Sequence, residues 1–235
     1  METRRLPRKF YTRSTLTVAK ELLGKYLVRP IRPRPFSEKG GANGAKKIVT
    51  KKMIGKIVET EAYIGPKDKA SHAYQWKITP RNKTEYLEGG HIYIYLCYGM
   101  YWQLNITTAK AGQPECVLIR ALEPLNGQKR IKNYELGIKK LTNGPGKLCR
   151  WIKLDKSFDG EDLTRSKRIW LEDRSDSLPA QIKKGRIVAA KRIGIDYAGK
   201  WAKKPWRFYL RDNPFVSRMA GLVIRNRHPQ RWRVS

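Results

Sequence analysis

The stretch HIYIYLCYGMYWQLNIT, residues 91–107, predicts the β-hairpin around which the rest of the fold can be arranged. Apolar side chains recur at every second position in its first half, at 92, 94 and 96, and again in its second half, at 102, 104 and 106. This period of two is typical of a strand with one buried face. Gly99 lies between the two halves and marks the turn. The sequence therefore predicts an antiparallel pair of strands near the middle of the chain.

The segments on either side of this hairpin predict more strands and a few helices. A helix is expected to begin at Ser14 or Thr15 and to end at Gly24, and another to run from about Asn143 to Trp151. A further helix is predicted over about 127–140, and further strands over 26–31, 53–63, 116–122, 168–171, 186–195 and 206–210. We therefore predict an α+β fold, a single domain with a central, mostly antiparallel, curved β-sheet, flanking helices and a protruding β-hairpin.

The chain of 235 residues fits one domain with a hydrophobic core of its own. We divide it into a basic, irregular N-terminal arm over 1–13, a folded domain over 14–217 and a basic C-terminal tail over 218–235. The stretch 33–52 is rich in Pro, Gly and Lys and is interpreted as a surface loop. No internal repeat or break in composition requires a second domain.

Charge is the strongest feature of the composition. The chain has 51 Lys and Arg residues against 20 Asp and Glu, a formal net charge of +31. Such a charge attracts polyanions, of which nucleic acid is the commonest. A lineage with generally basic proteins is the alternative explanation. An anionic membrane surface is a weaker one, because we find neither a basic amphipathic helix nor an apolar run of spanning length.

Cysteines and histidines indicate neither a disulfide framework nor a metal site. Cys97, Cys116 and Cys149 form no CxxC pair and lie in apolar contexts, as small buried thiols do. The three histidines lack the spacing of metal ligands, so we expect no metal and no cofactor. The N-terminus has no apolar segment of the kind found in secretory signals, and we expect an intracellular protein.

Two local patterns could carry chemistry. In VETEAY, residues 58–63, Glu59, Glu61 and Tyr63 share one face of an extended chain, which could form a polar active-site wall. On the pattern alone, a solvated strand face explains them better. The turn of the hairpin, Tyr98 to Tyr101, carries large side chains where Asn, Asp or Gly is usual. Such a tip either acts as a wedge between stacked bases or folds back onto the core, and the pattern leaves both open.

Seven segments taken together resemble the alkyladenine (3-methyladenine) DNA glycosylase family. They are GKIVETEAYIGP (55–66), ASH (70–72), TPRN (79–82), YIYLCYGMY (93–101), VLIRALEP (117–124), NGPGKLC (143–149) and KPWRFY (204–209). They stand in the order and at the spacing of the family. The resemblance covers about residues 14–217, nearly the whole chain.

The resemblance implies an active site. Glu61 corresponds to the general base that activates water, and Glu59, on the same face, is the fallback candidate. Arg120 and the backbone carbonyl of Ile193 are expected to hold that water. The resemblance also implies a pocket for a flipped base, with Tyr63 and Tyr95 stacking on the base, His72 bonding to base or sugar, and Asn105 near the floor opposing the amino group of guanine. Tyr98 is expected to enter the gap in the duplex, and Arg81 and Lys147 to contact phosphates.

The implied function is a monofunctional DNA glycosylase of base excision repair. It would flip alkylated or deaminated purines, of the 3-methyladenine, 7-methylguanine and hypoxanthine type, from double-stranded DNA, and leave an abasic site. We expect it to act as a monomer. One alternative is a basic nucleic-acid-binding protein without catalysis. Another is a glycosylase with lyase activity, which needs an amine nucleophile that the matched motifs do not provide.

Overall fold

The computed structural model describes residues 4–31, 51–125, 141–174 and 186–217. The predicted helix over 127–140, the tail over 218–235 and most of the 33–52 loop lie outside these ranges. The strands within them are β1 (Arg4–Arg5), β2 (Tyr26–Ile31), β3 (Lys51–Ile64), β4 (Ile92–Cys97), β5 (Tyr101–Thr108), β6 (Glu115–Pro124), β7 (Trp170–Asp173), β8 (Ile187–Ala190) and β9 (Arg207–Leu210). The helices are α1 (Arg8–Tyr11), α2 (Thr15–Glu21) and α3 (Pro145–Trp151).

The strands form one sheet in the order β1-β7-β2-β3-β6-β5-β4, with β9 pairing with both β3 and β8. Every strand pairing in the described residues is antiparallel. The helices lie before and after the central strands. The α+β fold with a mostly antiparallel sheet is therefore confirmed.

Strand β3 is the spine of the sheet, because it pairs with β2, β6 and β9. Its register against β6 shifts on both sides of Glu59, and these shifts leave Val58 and Arg120 without a cross-strand partner. An irregularity of this kind bends a strand and redirects side chains. It brings the Arg120 side chain within reach of carboxylates on two different positions of β3.

The hydrophobic core lies between the sheet and the helices. Val18, Ala19 and Leu22 on the inner side of the α2 segment are fully buried, and Thr60 of β3 donates a hydrogen bond to the Ala19 carbonyl oxygen at 2.9 Å. Gly24 follows with a φ of +87°, a left-handed conformation that suits glycine and ends the helical segment. No helix in the described parts of the chain is long and apolar enough to cross a membrane.

The first residues of the chain differ from the irregular arm that the sequence predicted over 1–13. Arg4 and Arg5 pair with the residues of β7, and Tyr11 is completely buried. Arg8 donates a hydrogen bond to Asp162 at 2.6 Å. Nothing in the sequence indicates this packing, because Asp162, a partner of Arg8, lies 154 residues further along the chain. Residues 4–13 are therefore part of the packed structure.

The predicted hairpin is confirmed, with pairs that run from Ile92 opposite Ile106 to Cys97 opposite Tyr101. The Met100 amide donates to the Cys97 carbonyl oxygen at 3.1 Å across the turn. The two central residues of that turn, Tyr98 and Gly99, have φ values of +50° and +68°, as in a type I′ turn. Tyr98 is 83% exposed, so the tip projects from the molecule.

Candidate active site

A cavity of about 490 Å³ is lined in part by residues of β3, β4, β5 and β6. Six of the residues that the sequence singled out line it: Tyr63, His72, Tyr95, Asn105, Arg120 and Ile193. Tyr98 at the hairpin tip borders the same space. These residues come from segments up to 130 positions apart, and the fold brings them around one cavity.

Glu61 lies directly behind the cavity wall and is completely buried. Its Oε1 accepts a hydrogen bond from the Ile193 amide at 2.8 Å. Its Oε2 accepts from Arg120 Nη1 at 3.1 Å and from the Tyr63 hydroxyl at 3.0 Å. All three donors belong to residues that line the cavity. The Glu61 carboxylate is thus separated from the cavity by the lining residues, and hydrogen bonds from those residues fix its position.

Glu59 is also buried, but its partners are different. Its Oε1 accepts hydrogen bonds from Arg120 Nε at 3.3 Å, Arg207 Nε at 2.7 Å and Ser217 Oγ at 2.8 Å. Its Oε2 accepts from the Ser217 amide at 2.6 Å. We call Glu59, Glu61, Arg120, Arg207 and Ser217 the back wall.

Electrostatics around Glu61 keep two of its donors, Arg120 and Tyr63, protonated. Burial acts to lower the pKa of Arg120, but the charges of Glu61 and Glu59 outweigh it and raise that pKa above its usual value. Burial, followed by the charge of Glu61, raises the pKa of Tyr63 well above its usual value. The guanidinium and the phenol therefore both act as donors to Glu61 at neutral pH.

A buried ion pair that the sequence did not reveal supports the wall. Arg192 Nη1 lies 2.5 Å from Asp68 Oδ2, and both side chains are completely buried. The same guanidinium donates to the Ala62 carbonyl oxygen at 2.9 Å and lies over the Tyr63 ring, 4.7 Å from its centroid. Arg192 therefore ties the segment that carries Ile193 to β3 and to Tyr63.

An aromatic pair forms another part of the cavity lining. The rings of His72 and Tyr95 stack with centroids 3.8 Å apart, and Nδ1 of His72 lies 2.8 Å from the Tyr93 hydroxyl. His72 is an exposed residue whose ring lines the cavity, and Tyr95 and Tyr93 shield part of that ring from water. This loss of hydration, followed by the charge of Arg81, lowers the pKa of His72 to about 4. His72 is therefore neutral at physiological pH.

Arg81 and Lys147, the predicted phosphate contacts, are both exposed. Arg81 lies over the Tyr95 ring at 4.5 Å and donates to the Leu96 carbonyl oxygen at 2.8 Å, next to the hairpin tip. Lys147 follows Pro145, which lines the cavity, and donates to the Asn143 side chain at 3.1 Å. The helix predicted from about Asn143 begins at Pro145, with Gly144 at its capping position.

Another buried carboxylate, Glu85, was also missed by the sequence analysis. It lines the cavity together with Asn105 and Cys116, and we call these three residues the floor. Glu85 Oε1 accepts hydrogen bonds from Cys116 Sγ at 3.3 Å and from Ser71 Oγ at 3.4 Å. Burial raises the pKa of Glu85 to about 7. Its position in a polar loop between β3 and β4 gave no sign of burial.

Asn105 is held in place on the floor. Its Nδ2 donates to the Tyr93 carbonyl oxygen at 3.2 Å, and the residue is 5% exposed. Its Oδ1 lies 4.0 Å from Cys116 Sγ. The amide group therefore has a fixed orientation toward whatever enters the cavity.

Comparison with known proteins gives a family match over most of the chain. Residues 44–214 match the family model described as methylpurine-DNA glycosylase (MPG). A DNA-3-methyladenine glycosylase from Mus musculus is 39% identical over 226 residues, which cover 91% of this chain and 61% of the mouse protein. The human protein of the same name is 37% identical over 224 residues, 91% of this chain and 68% of its own length.

Bacterial relatives match over nearly their entire length. A Clostridium perfringens protein, provisionally named 3-methyladenine DNA glycosylase, is 48% identical over 225 residues, which are 91% of this chain and 99% of the bacterial protein. The residues matched by the family model, 44–214, include those that line the cavity and all of the back wall except Ser217.

Proposed function

The chain belongs to the methylpurine-DNA glycosylase family, and on that basis we propose that it flips damaged purines out of duplex DNA and releases them with a water activated by Glu61. The family's activity, hydrolysis of N-glycosyl bonds in base excision repair, makes this chain a DNA repair enzyme. We propose alkylated and deaminated purines, of the 3-methyladenine, 7-methylguanine and hypoxanthine type, as its substrates.

One observation carries the proposed chemistry: Glu61 is held by three donors that all belong to the cavity lining. A carboxylate at this place can accept a proton from a water on the cavity side as that water attacks the sugar. A carboxylate has about four acceptor sites, and three are used here. Oε1 accepts only from the Ile193 amide, so Glu61 keeps an acceptor site for that water. Arg120 and the Ile193 carbonyl are the proposed partners of that water.

Glu59 is a poorer candidate for the base. Its two oxygens accept four hydrogen bonds, from two arginines and Ser217, and of these donors only Arg120 lines the cavity. We propose that Glu59 holds Arg120 in place while Glu61 performs the chemistry.

The lining suits a purine ring. A volume of about 490 Å³ lies within the usual range of small-molecule pockets, roughly 300–1,000 Å³. Tyr63 and the stacked pair of His72 and Tyr95 offer aromatic faces, which attract electron-poor rings such as N3- or N7-alkylated purines. A neutral His72 does not repel a cationic base. We propose that the fixed Asn105 amide opposes the amino group of an undamaged guanine.

Base flipping is assigned to the hairpin tip. Tyr98 is exposed, borders the cavity and is held in a left-handed conformation that a bulky residue rarely adopts. A side chain in this place can fill the space that the flipped base leaves in the stack, which offsets the few kcal/mol of unstacking. Arg81 and Lys147 are exposed near the mouth, where they can contact phosphates.

Single-turnover excision tests the role of Glu61. The protein is incubated with one duplex that contains hypoxanthine and another that contains alkylated purines, and abasic sites are then cleaved with alkali. We expect Glu61→Gln to lower the excision rate by roughly 10²–10⁴-fold, the contribution of general base catalysis, while binding to the damaged duplex is retained. Glu21→Gln, which changes an exposed carboxylate in α2, is the matched control.

Each outcome is informative. Excision by Glu61→Gln at the rate of the unmodified chain would remove Glu61 from the mechanism. Equal loss of binding and of excision would assign it a structural role. No breaks with either duplex from the unmodified chain, with salt-sensitive binding kept, would mean that this family member binds DNA without catalysis.

A further inference from the structure

Glu85 differs from the other carboxylates that surround the cavity because its second oxygen has no partner. Its side chain is 1% exposed, and Oε2 makes no hydrogen bond with the described residues. The residue lines the cavity, between Asn105 and Cys116. A buried oxygen without a partner loses its hydration and gains nothing in return, so such atoms are rare in native proteins.

Among the described residues, the groups that contact the Glu85 side chain are uncharged. Its hydrogen-bond donors are the hydroxyl of Ser71, in the loop after β3, and the thiol of Cys116, in β6. The charged neighbour that acts on it is Asp68, which is also acidic. Tyr93 of β4 faces it as a neutral phenol, because burial and the charge of Glu85 raise the pKa of Tyr93. The floor is therefore a negative or neutral surface.

We propose that Glu85 is a specificity-determining residue that selects cationic purines, alkylated at N3 or N7, over neutral damaged purines. The inference rests on the proposed function and adds a substrate preference to it. A cationic ring in the cavity gives the carboxylate the positive partner that the protein does not provide. A neutral ring such as hypoxanthine gives it no such partner.

The position of Glu85 strengthens the attraction between its carboxylate and a cationic purine. Both partners are removed from water inside the cavity, where opposite charges attract far more than at the surface. His72 is neutral, and the Arg120 guanidinium in the lining is already paired with Glu59 and Glu61. The free oxygen of Glu85 can also accept a hydrogen bond from an exocyclic amino group, which 3-methyladenine and 7-methylguanine carry and hypoxanthine does not.

The test is the binding of two matched duplexes by Glu85→Gln, which keeps the shape of the side chain and removes its charge. One duplex carries 7-methylguanine and the other hypoxanthine, each opposite cytosine and each on a 2′-fluoro sugar that slows cleavage, so that affinity is measured apart from chemistry. The readout is the ratio of the two affinities. We expect Glu85→Gln to lower that ratio on the order of tenfold, and Glu85→Asp, which keeps the charge, to preserve most of it.

Several outcomes would overturn the inference. Equal weakening of both duplexes by Glu85→Gln would mean that Glu85 only supports the floor, and an unchanged ratio would mean that it does not read charge. Should neither variant fold, the unmodified chain still decides, because it must prefer the cationic duplex to the neutral one. Failure of the unmodified chain to prefer either damaged duplex over an undamaged one would contradict the proposed function itself.

Discussion

The back wall and the floor both bury glutamates, yet their surroundings are opposite. In the back wall, Glu59 and Glu61 share Arg120, and Arg207 adds a second positive charge. On the floor, Glu85 has a thiol and a hydroxyl as donors and an acid as its charged neighbour. The same side chain is therefore paired with arginines in one region and held near its titration point in the other. Environment, more than residue type, assigns the roles of the three carboxylates.

Removing a charge from the back wall should have the largest effect on stability. Glu59→Ala leaves Arg207 and one edge of Arg120 buried without their carboxylate, and breaking a buried pair in this way costs about 3–5 kcal/mol. The free energy of unfolding, from denaturant titration, measures it. Glu21→Ala breaks an exposed pair with Arg13 and should cost at most about 1 kcal/mol. Equal losses in the two variants would show that the back wall is not locked by charge.

The floor should give a smaller effect that depends on pH. The pKa of Glu85 is raised from 4.5 to about 7, so between these values the folded protein holds a proton that the unfolded chain has released. Stability from this group is thus present at low pH and is lost as the pH rises through about 7. As the pH rises from 4.5 to 8, we expect the free energy of unfolding of Glu85→Gln to increase by about 2–3 kcal/mol relative to that of the unmodified chain. If the free energies of unfolding of the two chains had the same pH dependence over this range, the contrast between the floor and the back wall would be contradicted.

A substitution at the hairpin tip should leave the stability of the back wall and of the floor unchanged. It therefore gives the smallest expected change in the free energy of unfolding. Tyr98 is 83% exposed, so Tyr98→Ala should change the free energy of unfolding by no more than about 0.5 kcal/mol. Excision from a fully paired duplex should nevertheless fall about tenfold, because the variant lacks a ring to fill the vacated stack. A lesion in an unpaired position serves as the control and should lose less. Unchanged excision from the paired duplex would remove Tyr98 from the flipping step.

The sequence predicted those parts of the site that depend on local geometry. The alternation that places Glu59, Glu61 and Tyr63 on one face needs only a strand, and the bonds of Arg120 and of the Tyr63 hydroxyl confirm that shared face. The hairpin and its turn are equally local, since Gly99 and the flanking alternation fix the register. The roles of these residues in catalysis remain proposals.

The parts that the sequence missed depend on contacts between distant segments. Arg192 and Asp68 are 124 positions apart, and nothing near either residue indicates the other. Their pairing also explains why the strand predicted over 186–195 ends at Ala190: Arg192 turns inward, and Gly194 has a φ of +76°. Glu85 lies in a stretch read as a polar loop, which the structure folds into a short 3-10 turn with a buried inner side.

The hydrogen bonds from Ser217 to Glu59 determine how late in synthesis the back wall can be completed. Ser217 and Arg207 reach Glu59 across 158 and 148 residues of chain. A nascent polypeptide that has emerged only as far as residue 206 contains β3 but still lacks Arg207 and Ser217. Contacts across such long loops also form slowly, because loop closure costs entropy. A growing chain on the ribosome therefore has an unfinished back wall until nearly the whole domain has been translated.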